Sequence, residues 1–254
     1  MTETTRNPEP KVNTTPMKNG NENDPRKCAK CGKPIEGDDE TNLMNLLGVL
    51  QSHGITSPLS IICNTCADNA AALDKLAQGA ARRDYWRAIC PPLYQATSLD
   101  HPLMPPPAKR TSILTWPFGP KGLLVHGQTR RCKTRLLWLL LRRIIAEGHT
   151  VRAVTAHEFA MTCSDAAANG RASEWFRSMT QPDVLFIDDL GKEKLTERVE
   201  SDLFAVIEHR TSHGRPILTT INAKNGKEMQ KKFTPDRGAP IVERLREFCH
   251  IVAL

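Results

Sequence analysis

The chain has 254 residues, with 35 Lys plus Arg against 28 Asp plus Glu and a formal net charge of +7. That length holds one large or two modest domains, and the basic excess points to an anionic partner without choosing between nucleotide, nucleic acid and membrane. Aromatics at 5% argue against a single-strand binder built on many stacking rings, and the longest apolar run, Leu136–Leu141, is far too short to span a bilayer.

Residues 1–26 are rich in Asn, Thr, Pro and Glu and carry four acids and four bases. They lack the apolar stretch of a secretory signal and cannot bury enough surface to offset their ordering entropy, so a disordered tail is expected. With no membrane partner indicated, a cytoplasmic protein follows. Residues 27–90 form the next unit. Cys28-Ala-Lys-Cys31 and Cys63-Asn-Thr-Cys66 are two CxxC pairs separated by 31 residues. Each CxxC turn aims two thiolates at one centre, and two turns complete a closed tetrahedral zinc site. The intervening loop carries Leu43, Leu46, Leu47 and Leu50 at helical spacing. Cys90, Cys163 and Cys249 read as buried small apolar residues. Ala67–Ala88 is Ala-rich and helical in pattern, and Pro91-Pro92 breaks it. Residues 91–121 read as a linker, with a boundary near 105 among Pro102, Pro105, Pro106 and Pro107.

Residues 122–254 alternate strands and helices. Strands are expected at Gly122–His126, Val151–Thr155, Asp183–Asp188, Ile217–Ile221 and His250–Leu254. Helices are expected at Arg135–Glu147, stopped by Gly148, over most of 156–180, at Glu197–His209 and at Pro240–Phe248. Repeated β-α-β units with apolar strands imply an α/β fold whose parallel sheet is covered by helices on both faces.

The loop after the first strand, Gly127-Gln128-Thr129-Arg130-Arg131-Cys132-Lys133-Thr134, matches G-x-x-x-x-G-K-[ST] except that Cys132 replaces the second Gly. In this motif the loop amides wrap phosphates, the Lys reaches the β/γ oxygens and the hydroxyl holds Mg²⁺. Cys132 puts a side chain where Gly is usual and restricts φ. The third strand ends in Asp188-Asp189, the position from which one acid supports Mg²⁺ and a neighbour orients the attacking water in P-loop ATPases. Asp188 is assigned to Mg²⁺ and Asp189 to the water.

Taken together, 122–254 resembles the AAA+ core of DnaC-type helicase loaders and IstB-type transposition ATPases. The matching stretches are the P-loop, Val184–Gly191, Arg210–Pro216 leading into Ile217-Leu-Thr-Thr220, and Ile241-Val-Glu-Arg-Leu-Arg246. Residues 91–100 resemble the segment before that core, and the cysteine region resembles zinc-bearing N-terminal domains of some helicase loaders. The resemblance implies ATP, Mg²⁺ and Zn²⁺ as cofactors and no C-terminal helical lid. It implies a sensor of the γ-phosphate at Thr220 or Asn222, with Ile221 departing from the family pattern. It also implies an arginine finger at Arg244, with Arg246 as competitor, acting on ATP of a neighbouring subunit and worth roughly 10³–10⁵ in rate in related NTPases. Arg130 and Arg131 stand where small residues are common, and Asp189 stands where many AAA+ proteins have Glu, which suits a slow switch.

Three functions remain open: a helicase loader that self-associates on ATP, binds single-stranded DNA weakly and acts on a replicative helicase; an accessory ATPase whose client is a transposase; and a nonhydrolysing zinc-dependent adaptor. The helicase loader ranks first. The charge belongs to the C-terminal part, where residues 107–254 carry 24 bases and 16 acids. Six bases and no acids between Arg130 and Arg143 read first as a triphosphate signal and second as a nucleic-acid one.

Overall fold

In the computed structural model, residues 27–35, 62–192 and 194–254 are described. The neutral stretch 1–26 and the Leu43–Leu50 repeat lie outside them. The chain divides into two compact units, residues 1–76 and 77–254.

In the first unit an isolated bridge pairs Lys27 with Pro34. Between them the backbone turns back through Gly32, whose φ is +69° and whose amide donates to the Cys28 carbonyl at 2.8 Å. Cys28 and Ile35 are buried against Cys63 and Cys66. Cys66 lies in the first turn of α1 (Asn64–Ile89), which passes into the second unit.

The second unit adds, in chain order, α2 (Pro92–Gln95), α3 (Pro107–Leu114), β1 (Gly122–His126), α4 (Lys133–Ala146), β2 (Val151–Thr155), α5 (Ala156–Ala168), α6 (Ala172–Thr180), β3 (Val184–Leu190), α7 (Glu197–Ser212), β4 (Ile217–Ile221), α8 (Gly226–Gln230), α9 (Pro235–Phe248) and β5 (Cys249–Ala253). Its sheet has five strands in the order β2-β3-β4-β1-β5, and every pairing is parallel. All strand C-termini therefore open on one edge, and β4 sits between the strands that end in the P-loop and in the paired acids.

Side chains alternate across the pleat with period 2, and this alternation divides the core. Leu123, Val125, Phe186 and Leu218 face one cluster, with α3, α4 and Trp86 and Cys90. Leu124, Leu185, Ile187, Ile217 and Ile221 face the other, with α5, α7 and α9. Helix α4 ends in a Schellman turn: Gly148, at φ +103°, donates to the Ile145 carbonyl at 3.0 Å and His149 to that of Ile144 at 3.2 Å. No helix among the described residues is long and apolar enough to cross a membrane.

The five expected strands are present, with the third and fifth shifted by a residue or two. Helix α4 starts two residues before the expected Arg135, because Lys133 and Thr134 already take helical dihedrals behind Cys132. Helix α9 starts at Pro235, five residues early, and carries Pro240 inside it. The stretch read as linker contains α2 and α3, and α8 was not anticipated. Cys90, Cys163 and Cys249 are buried, as expected, and burial pushes the Cys90 thiol up to about 11.

Candidate functional site

The sequence Lys133-Thr134 opens α4, and the residue before it shapes the loop. Cys132 is the N-cap of α4 in the left-handed region, φ +54°, and makes no side-chain cap hydrogen bond. Helices α5, α7 and α8 are capped by Thr155, Thr196 and Asn225. Helix α4 also lacks an acid in its first turn. Its N-terminal amides have no intrahelical acceptor and face the loop with the positive end of the helix dipole, the arrangement that holds phosphate. Arg130 is also left-handed, φ +61°, so the loop has two reversals where the motif needs backbone donors turned inward. At the loop's start Gly127 has φ +147°, and a Cβ there would stand 2.0 Å from the Leu254 carbonyl oxygen. Only glycine fits.

Lys133 is buried. Its Nζ donates to the carbonyls of Gly127 and Gln128 at 3.1 and 2.8 Å and to Asn222 Oδ1 at 2.7 Å. Burial lowers its pKa, and the charges of Asp189 and Asp188 oppose that. Thr134 Oγ1 donates to Asp188 Oδ1 at 2.9 Å, and Thr220 Oγ1 donates to the same oxygen at 2.6 Å. Burial raises the Asp188 pKa, the charge of Asp189 adds to this, and the two hydroxyls oppose it.

Two successive strand residues ordinarily point to opposite faces. Here the β3–β4 register shifts between Ile187 and Leu190, and Asp189 has φ +55°. This irregularity lets both acids serve one site. The Asp189 amide donates to Thr220 Oγ1 at 2.8 Å. Its carboxylate accepts from Asn222 Nδ2 at 3.2 Å and from Lys192 Nζ at 3.1 Å.

Lys133, Thr134, Asp188, Asp189 and Asn222 are thus brought to one place. Lys133, Thr134, Asp189 and Asn222 border a cleft of about 390 Å³ that also takes in Thr129, Arg130, Arg131 and Cys132, and Asp188 is joined to it through Thr134. Of the two sensor candidates, Asn222 lines the cleft and Thr220 stands behind Asp188. Arg244 is elsewhere: on α9 it pairs with Glu208 through Nε at 2.7 Å and through a second guanidinium nitrogen, and reaches Glu247 at 3.4 Å. Arg246 is exposed.

The opposite wall comes from residues outside the motif: Leu93, Tyr94, His101 and Leu103. Tyr94 stacks on Trp138 with centroids 6.4 Å apart, the Arg135 guanidinium lies 5.8 Å from its ring, and His101 Nδ1 is 3.7 Å from Cys132 Sγ. The likeness of 91–100 to the segment before an AAA+ core is the signal for Tyr94; His101 and Leu103 had none.

The donor set fits Mg²⁺-nucleotide: a hydroxyl and a carboxylate oxygen in contact, a buried ammonium, and an uncapped helix start. In the first unit the Sγ atoms of Cys28, Cys31, Cys63 and Cys66 lie within 4.8 Å of one another. The Cys31–Cys63 separation is 3.8 Å, and a tetrahedron with Zn–S bonds of ~2.3 Å has edges of about 3.8 Å. The Lys30 amide points at Cys28 Sγ at 3.4 Å, the knuckle arrangement that supports a thiolate. The cluster fits a tetrahedral metal ion.

Residues 114–254, just over half of the chain, match the profile of a family described as IstB-like ATP binding protein. An insertion sequence IS5376 ATP-binding protein of Geobacillus stearothermophilus is 33% identical over 106 residues, 42% of each chain. An insertion-sequence ATP-binding protein of Mycobacterium tuberculosis is 24% identical over 111 residues, 44% of each. The chain thus spans less than half the length of the curated relatives it matches. Among solved structures, the DnaC helicase loader has a TM-score of 0.54 at 18% identity, covering 65% of this chain and 99% of that one. DnaI has a TM-score of 0.53 at 18%, covering 65% and 94%. At that identity the likeness concerns the fold: a P-loop AAA+ core of the DnaC and IstB type.

Proposed function

The chain belongs to the IstB-like ATP binding protein family, and from that premise we propose an ATP-driven accessory ATPase of DNA transposition. The observation that carries the nucleotide part is the 2.9 Å contact between Thr134 Oγ1 and Asp188 Oδ1, which joins the loop after β1 to the end of β3. Thr134 and Asp188 would hold Mg²⁺, which supplies charge neutralisation on the phosphates. Lys133 binds the β/γ oxygens, and the amides from Gln128 to Thr134 enclose the rest. Asp189 accepts a proton from the attacking water. Asn222, hydrogen-bonded to both Lys133 and Asp189, senses the γ-phosphate. A finger from a second copy, Arg244 or Arg246, completes the site, so turnover requires self-association. Zn²⁺ would be held by the four cysteines and would order the first unit.

The insertion-sequence relatives favour a transposase as client over the replicative helicase that the sequence ranked first. The test is a pull-down of purified protein with Mg²⁺-ATP, offered a transposase and a replicative helicase in parallel. Transposase capture that fails for Lys133→Ala supports the proposal; helicase capture instead replaces it with the loader function. ATP binding without turnover at any concentration, with or without single-stranded DNA, would leave only the adaptor.

A further inference from the structure

Away from the nucleotide cleft, the second unit has a separate depression of about 450 Å³ between the C-terminal part of α1 and the end of α4. It is lined by Arg82, Arg83, Arg87 and Arg142, by Trp86 and by Gln95, with no carboxylate in the lining. Among the described residues these guanidiniums make one ion pair, a long one from Arg87. Arg83 makes no ion pair or hydrogen bond among the described residues, and Arg142 has only the face of Trp86, 5.3 Å from its ring centroid. Arg87 has a long 3.5 Å contact to Asp84, with both side chains mostly exposed. Arg82 holds the Ala146 carbonyl at 3.0 Å, which anchors the floor. Trp86 is buried, and its Nε1 has no hydrogen-bond partner among the described residues. Four arginines lining one depression beside Trp86, with no carboxylate in the lining, describe a receptor for an oxyanion.

We propose that this depression binds phosphates of a nucleic-acid backbone, as a site separate from the P-loop. The inference rests on the proposed action at DNA. Charge argues against a second copy as the occupant: residues 107–254 carry 24 bases against 16 acids, so another core would meet the four arginines with like charge. The guanidinium planes suit the paired oxygens of a phosphodiester.

The test measures anisotropy of a labelled single-stranded oligonucleotide across a salt series, with the full-length protein and a variant combining Arg83→Ala, Arg87→Ala and Arg142→Ala. Arg82 is left in place because it supports α4. Loss of at least tenfold in affinity, with the salt slope falling by about 2, is expected if two to three phosphates leave. The Arg-to-Lys version of the same three positions keeps the charge and is expected to keep most of the salt slope. Binding of a fluorescent ATP analogue, read on the same samples, stays unchanged; this reports on folding and tests the nucleotide reading separately. Equal oligonucleotide affinity and slope in the alanine variant overturns the proposal. So does displacement of the oligonucleotide by millimolar inorganic phosphate at constant ionic strength, which would assign the site to the free anion. An acidic peptide that binds wild type and not the variant, with DNA binding unaffected, would overturn it in favour of a protein partner.

Discussion

At the scale of single residues, the site depends on two side chains in one loop. Lys133 makes three hydrogen bonds that a phosphate would share or replace, and it is buried in the cleft where Arg130, Arg131 and Lys192 are exposed. Lys133→Ala is expected to lower ATP affinity by at least a hundredfold in calorimetry; unchanged affinity would remove the P-loop assignment. Cys132 was visible in the sequence as a departure from glycine, but its left-handed φ of +54° was not, because handedness depends on where α4 begins. A non-glycine residue in that region costs about 1 kcal/mol. Cys132→Gly is therefore expected to raise stability by up to that amount in urea unfolding and to leave nucleotide affinity equal or higher. A large loss would mean that the contact with His101 at 3.7 Å matters more than the strain. Burial raises the Cys132 pKa, so this thiol stays protonated at neutral pH.

At the scale of elements, the strands were legible because apolar runs bounded by polar residues have few alternatives in a chain of alternating βα units. Proline ends helices, so the proline-rich stretch reads as linker in the sequence. Pro92 and Pro107 instead sit at the first helical position of α2 and α3, where the missing N–H costs nothing. That reversal hid the wall that His101 and Leu103 add beside Tyr94. The β3 irregularity was equally hidden: two consecutive acids look the same in sequence whether they face one site or two. Arg210, within a stretch noted only as family-like, is a clamp. Fully buried on α7, it donates to the carbonyls of Met179, Thr180, Pro182, Asp183 and Pro216. It thereby ties the turns into β3 and β4 together. Burial pulls its pKa down to about 10, so it remains charged at neutral pH. Arg210→Met is expected to cost about 3 kcal/mol or more, because five carbonyls lose their donor. A urea midpoint close to wild type would show that water or a rearranged loop replaces it.

At the scale of the whole molecule, metal and nucleotide are expected to act on different units. About one zinc per chain should be found by metal analysis of reduced protein. Its removal, or Cys63→Ser with Cys66→Ser, should leave ATP affinity within about twofold while exposing 27–35 to protease. A joint loss of both would show that the units do not fold separately. The sheet order has a further consequence, for the timing of assembly. The strand that carries the P-loop, β1, lies between β4 and β5, so both of its hydrogen-bonding neighbours come from Ile217 onward. β1 therefore has no ladder to join until the segment from Ile217 onward has folded back on it, and such distant pairings form slowly. The loop that would hold a triphosphate is therefore framed only once β4 and β5 have both paired with β1, so its geometry depends on closure of the whole sheet.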